Sequence, residues 1–262
     1  MSVPEPGADA RWYYADGHWV ALEPSPKQVR VVFAGVTIAD SRRALLLRER
    51  GCTPRYYFPR ADVRTEYLKH SATSEGNAHL GPTRTWDVVV GDSKESRTAT
   101  HAAIAHPAPA PQVKALAEHI SFDWDAMDAW FEEDEQVFVH PRDPYVRIDC
   151  LKSSRHVEVF LAGERVAECH RPVVLFETGL PPRYYLPLDD VRMELLRPSS
   201  TETVCPYKGS ASYYSVKIGE RDYPDIVWTY LAPFDEVRKI QELVCFYQER
   251  VDQFVVDGQR VR

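Results

Sequence analysis

Pro182-Arg183-Tyr184-Tyr185-Leu186-Pro187, followed by Asp190-Val191-Arg192, repeats an earlier stretch: Pro54-Arg55-Tyr56-Tyr57-Phe58-Pro59, followed by Asp62-Val63-Arg64. The offset is 128 residues. It holds without a gap when Val29–Arg64 is laid against Val157–Arg192, where 17 of 36 positions are identical. Gly35/Gly163, Arg43/Arg171, Glu49/Glu177 and Gly51/Gly179 are among the identities. A period this long is a whole duplicated domain, because solenoid units run to about 20–50 residues. After a shift of four, Phe122 falls on Phe246 and Asp128 on Asp252. The two copies are expected to meet near Pro141–Tyr145, giving a first, diverged domain over 15–143 and a second over 144–262.

Within a copy the pattern reads mostly as strand. Val29–Phe33 and Val157–Leu161 are β-rich, and each runs into Ala-Gly, a hairpin signal. Alternation resumes at Val36–Ala39 and Arg165–Ala167, and Tyr213–Ile218 reads as a further strand ending at Gly219. Helix is expected at Pro233–Glu242, with Phe234, Val237, Ile240 and Gln241 along one face, and around Val113–Glu118. The segment Asp123–Asp134 is ambiguous: Trp124, Met127 and Phe131 suit a helix, whereas its partner Val244–Phe254 has strand character. The expected fold is mainly β, two tandem homologous small barrels or sandwiches with short helices.

Composition sets the outer limits. The 262 residues are 44% hydrophobic and 27% charged, ordinary globular usage. A formal charge of −7 argues against a dedicated nucleic-acid binder, which needs a basic face for phosphates. No apolar run approaches the ~20 residues of a membrane-crossing helix. The start, Met1 to Gly7, lacks the basic and apolar regions of a secretory signal. Five widely spaced cysteines do not suggest a disulfide framework, so a reducing, cytoplasmic setting is expected.

The second copy carries Leu175-Phe-Glu-Thr-Gly-Leu-Pro-Pro-Arg-Tyr-Tyr-Leu-Pro, then Asp190-Val-Arg and Cys205-Pro-Tyr-Lys-Gly. This resembles the family catalogued as domain of unknown function 427, which also bears a nucleotidyltransferase label. Trp130-Phe-Glu-Glu-Asp-Glu and His140-Pro-Arg-Asp-Pro-Tyr at the joint are similar to its two-copy members. The resemblance covers nearly residues 15–262 and implies a small β-rich domain without a stated reaction. Nucleotidyl transfer finds no support in the residues: Asp123-Trp-Asp125 has no Gly-rich phosphate cradle beside it, and Gly-x-x-x-x-Gly-Lys is absent.

Three clusters carry candidate chemistry. In Cys205-Pro206-Tyr207-Lys208-Gly209 a lysine near the thiol would stabilise a thiolate nucleophile if the chain turns. The alternative is that Cys205 is a small buried hydrophobe. In the twice-used Pro-Arg-Tyr-Tyr motif, Arg183 or Arg55 can clamp an anion, and Tyr184 or Tyr185, with Tyr56 in the first copy and Tyr207 in the later cluster, can stack on a ring or hydrogen-bond. Glu177 would be the base or the arginine's partner. Retention of the motif in both copies suits a purely structural role equally. At the joint, His140, Arg142 and Asp143 form either a base, an anion clamp and an orienting acid, or a rigid connector.

No Cys-x-x-Cys or His-x-x-x-His spacing points to a metal, and no cofactor is called for, although a zinc site assembled from distant residues stays open. The expected activity is binding of a small polar or aromatic molecule in the second copy or at the joint, with turnover open, and neither a nucleic-acid nor a membrane partner. The alternative is an interaction or self-association module. Oligomeric state is not legible.

Overall fold

Two Ala-Gly pairs close the hairpins that begin each copy. Ala34 and Gly35 have φ of 50° and 73°, and Ala162 and Gly163 have 52° and 81°. Both central residues are therefore left-handed, the backbone that matches strand twist in a two-residue hairpin. The expected strands follow on either side: Val29–Phe33 pairs with Val36–Ser41, and Val157–Leu161 with Glu164–Cys169. Asp128 accepts the Ala34 amide at 2.7 Å, and Asp252 accepts the Ala162 amide at 2.6 Å. The repeated aspartates thus brace the repeated turns.

The computed structural model describes residues 11–92 and 95–261, so the reading of Met1–Gly7 lies outside the described residues. The chain divides into two compact units, Met1–Asp143 and Pro144–Arg262. In the second, a seven-stranded antiparallel sheet runs in the order Ile148–Lys152, Val173–Glu177, Arg183–Leu186, Val244–Phe246, Arg221–Thr229, Gly209–Ile218, Leu196–Cys205. A four-stranded sheet holds the hairpin and Gln253–Val256. The first unit keeps the same order from Trp19–Pro24 through to Leu68–Asn77 and adds Trp12–Tyr13 at one edge. Each unit is an open sandwich, and neither large sheet closes into a barrel.

Period-two alternation decides what the repeated motif faces. In the strand Arg55–Pro59, Tyr56 and Phe58 enter the core between the sheets, with Val31, Phe33, Val88 and Phe122. Tyr57 points to the opposite face, with Val20, Leu47, Val113 and Leu116. The second unit repeats this: Tyr184 and Leu186 join the intersheet core, while Tyr185 joins Leu175, Trp228, Val237 and Ile240. Phe122 and Phe246, aligned by the four-residue shift, are both fully buried.

The expected helices are tight three-residue turns. Asp235–Ile240 and Pro111–Glu118 are 3-10 helices, each interrupted by non-helical angles at Val237 and Val113. The buried pairs Val237/Ile240 and Val113/Leu116 are three apart, the 3-10 repeat, and Gln241 is exposed. Asp123–Asp134 resolves as a turn and a strand, Ala129–Glu132, with Trp130 stacked on Trp124 at 4.4 Å. Among the described residues no helix is long and apolar enough to cross a membrane. All five cysteines are unpaired thiols.

Candidate functional site

The face of the large sheet that carries Tyr57 or Tyr185 also carries the motif arginine, two residues earlier on the same strand. Opposite it lies the neighbouring strand's leucine: Leu47 faces Arg55, and Leu175 faces Arg183. Two residues beyond each leucine stands Glu49 or Glu177, again on the same face. In both units these residues line one cavity, which the hairpin Asn77–Gly81 or Cys205–Gly209 borders at its rim. Duplication has therefore produced two equivalent cavities, one inside each unit.

Their contents differ. The second cavity is about 180 Å³ and is walled by Tyr185, Tyr213, Trp228, Tyr230 and Tyr247. Trp228 donates its indole N–H to the Tyr185 hydroxyl at 3.1 Å, and Arg183 lies 5.7 Å over the Trp228 ring. Arg183 is also tied to Glu249 at 2.8 Å. Lys208 Nζ meets Glu177 at 2.6 Å, with both side chains nearly buried. Burial drives the Tyr185 and Tyr230 phenols well above their usual range and Tyr247 up to about 12, so they act as neutral hydrogen-bonding groups.

The first cavity is about 540 Å³. Ile104 stands where the second copy has Trp228, since Ile104 pairs with Thr85 as Trp228 pairs with Tyr213. His106 replaces Tyr230, and Leu80 replaces Lys208. The Tyr57 hydroxyl meets His106 Nε2 at 3.1 Å. Burial raises the Tyr57 phenol to about 12, with nearby Arg55 opposing, and burial lowers the His106 imidazole, which keeps it neutral. Among the described residues Arg55 has no carboxylate partner to match Glu249, and it is exposed.

Of the residues singled out by sequence, Arg183, Glu177 and Lys208 converge on the second cavity, and Arg55 on the first. Tyr184 and Tyr56 do not: alternation turns them into the intersheet core, where Tyr184 accepts Arg155 Nη1 at 2.9 Å and Tyr56 donates to Glu132 at 2.7 Å. The chain does turn after Cys205, with the Lys208 amide donating to the Cys205 carbonyl at 3.3 Å. The Lys208 ammonium, however, is committed to Glu177 rather than to the thiol, and Glu177 is thereby neutralised. Cys205 and Tyr207 are half-buried on the hairpin and line neither cavity. His140, whose ring meets the Pro141 carbonyl at 2.7 Å, and Arg142 line neither cavity either.

Sequence reasoning missed Tyr57, Glu49, His106 and Trp228, and it gave Tyr185 as the alternative to Tyr184. Tyr57 and Glu49 were within reach: residues spaced two apart from the arginine share its face, and the 128-residue offset assigns Glu49 whatever is claimed for Glu177. His106 and Trp228 come from strands that only the sheet order brings alongside.

A comparison with curated proteins finds no match. The model of a domain of unknown function (DUF427) matches twice, over residues 21–133 and 149–257. Those two stretches span most of the chain, including both cavities and all but some edge strands of the two sandwiches. The chain therefore belongs to the DUF427 family, as a tandem member with two copies of the domain.

Proposed function

We propose that the first copy is the ligand-binding copy and that it takes a small molecule carrying a ring and an anionic group, a carboxylate or a phosphate. The observation that carries this reading is the difference between two equivalent cavities: about 540 Å³ in the first copy against about 180 Å³ in the second. Small-molecule sites typically occupy about 300–1,000 Å³ and combine apolar walls with a few placed polar groups. Leu47, Leu80 and Ile104 supply such walls, and Tyr57 and His106 supply neutral hydrogen-bonding groups. Arg55 can grip two anionic oxygens through its planar fork. In the second copy the same arginine is taken by Glu249 and the space by aromatic rings, which suits a stabilising partner domain.

The test is a titration of the full chain with phenyl phosphate and with benzoate, followed by ligand-observed NMR. Saturable binding that Arg55→Met abolishes and Arg183→Met leaves in place supports the reading. Binding that survives Arg55→Met, or that only Arg183→Met removes, overturns it.

A further inference from the structure

Glu49 and Glu177 hold the same place in the two copies, and each is nearly buried beside the cavity. In the second copy a cation sits against the carboxylate, Lys208 Nζ at 2.6 Å. In the first copy that lysine is Leu80, and among the described residues Glu49 has no lysine or arginine partner. Two imidazoles stand there instead. His18 Nε2 lies 2.9 Å from Glu49 Oε1, and the His18 and His79 rings stack 3.9 Å apart at an interplanar angle of 10°. One donor atom from each of His18, Glu49 and His79 lies within 4.8 Å of the other two.

We infer that His18, His79 and Glu49 form a binding site for a divalent transition-metal ion of the zinc type in the first copy. Zinc holds nitrogen and oxygen donors at about 2.0–2.2 Å, which places tetrahedral neighbours about 3.3 Å apart, a contraction within reach of partly exposed side chains. Two histidines and one glutamate are the donor set of open zinc centres, which leave a fourth position for water or substrate. Imidazole nitrogen favours zinc, copper or nickel over magnesium and calcium, which want oxygen cages. Asp16 Oδ2, 3.1 Å from His79 Nε2, is the nearest further carboxylate.

The ligands are held ready by their own backbones. The His18 amide donates to Asp16 Oδ1 at 2.9 Å, and its carbonyl accepts the Tyr14 amide at 2.8 Å. The His79 amide donates to Asn77 Oδ1 at 2.9 Å. The Tyr14 hydroxyl then donates to the His79 carbonyl at 2.8 Å, tying together the two segments that bear the histidines. None of this recurs in the second copy, where strand register puts Val146 at the place of His18 and Tyr207 replaces His79.

His156, Glu168 and His170 also lie close together, yet their environment is that of a surface strand pair. Arg165 already neutralises Glu168 at 2.8 Å. The matching first-copy residues are linked in a similar way without two histidines, Gln28 donating to Asp40 and accepting from Arg42.

The site shares Glu49 with the cavity but does not depend on the anion reading, because the metal is titrated alone. The full chain, stripped with a chelator, is titrated with Zn²⁺ by calorimetry and with Co²⁺ by visible absorption. One ion per chain is expected, with the Co²⁺ spectrum of a low-coordinate nitrogen–oxygen site. His79→Ala and His18→Val each weaken binding by more than about 100-fold, beyond the usual loss of an outer-shell partner. His156→Gln with His170→Arg leaves it unchanged. Melting curves of the stripped variants, expected to match the stripped parent, separate ligand loss from unfolding. Full affinity in folded His79→Ala, loss only in the His156/His170 variant, or no uptake by the parent overturns the assignment.

Discussion

Replacing Lys208 by methionine keeps the apolar stem and removes the charge that faces Glu177. The two side chains are 12% and 10% exposed and meet at 2.6 Å. Stranding one member of a fully buried ion pair costs about 3–5 kcal/mol. The remaining access to water puts this pair near the lower end, about 3 kcal/mol. For a unit of this size each kcal/mol moves the melting temperature by about 4 °C, so Lys208→Met should lower the second copy's transition by about 12 °C.

Calorimetry of the full chain reads this directly. Leu80→Met, the matching change in the first copy, conserves volume and should cost less than about 1.5 kcal/mol. Adding Glu177→Gln to Lys208→Met removes the stranded charge and should recover most of the loss. Alkylation of Cys205, followed by peptide mapping, should proceed at the parental rate, because the ammonium serves the carboxylate and not the thiol. An unchanged melting curve together with slower alkylation of Cys205 would refute the reasoning and restore a cysteine–lysine pair.

Trp228→Ile, which gives the second copy its counterpart's residue, should enlarge that cavity and destabilise its unit by about 3 kcal/mol, as lost packing of a large ring does; an unchanged calorimetric transition would show that the ring is not packed as described. Ile104→Trp should fill the first cavity and abolish phenyl phosphate binding while the protein stays folded, and retained binding would count against the cavity. Gly81 and Gly209 both have positive φ, +90° and +97°, but a Cβ at Gly81 would stand 2.6 Å from the Ala108 carbonyl oxygen, against 3.4 Å from Ala232 at Gly209. Urea unfolding should therefore show Gly81→Ala to be the more damaging change, and equal losses would contradict that packing.

Asp128 provides a pH test. Hydrogen bonds from Arg97, at 2.7 and 2.8 Å, hold its carboxyl below the usual range, and the Ala34 amide adds to this. A depressed folded pKa stabilises above the ordinary carboxylate range and loses that contribution as pH falls through the folded value. Melting temperature should thus drop on acidification below about pH 4, and Asp128→Asn should flatten that limb. An unaltered acid limb in Asp128→Asn would exclude the mechanism.

Much of this architecture is legible in the chain because the duplication supplies an internal alignment. Identities such as Ala34-Gly35/Ala162-Gly163 mark turns that need left-handed backbone, and Asp128/Asp252 mark their braces. The helices were harder to read, because Val237 and Ile240 are three apart, a spacing common to α and 3-10 turns. The site was legible in part. Arg55, Arg183 and Glu177 follow from the repeat, but strict alternation favours Tyr57 and Tyr185 over Tyr56 and Tyr184. His18, His106 and Trp228 are beyond reach, since each comes to the site through strand order and register, which composition and spacing do not encode, whereas His79 follows from Tyr207 by the 128-residue offset. The difference between the copies was visible at Lys208 and Leu80, yet its meaning rests on the Glu177 contact.

The central claim is that duplication left two equivalent cavities and that only the first stays open to a ligand. Methyl-resolved NMR of the full chain, titrated with phenyl phosphate, tests it most directly. The account predicts shifts for the methyls of Leu47, Leu80 and Ile104, with Leu175 and Leu180 unmoved. Shifts at Leu175 and Leu180 with the first copy silent would contradict it.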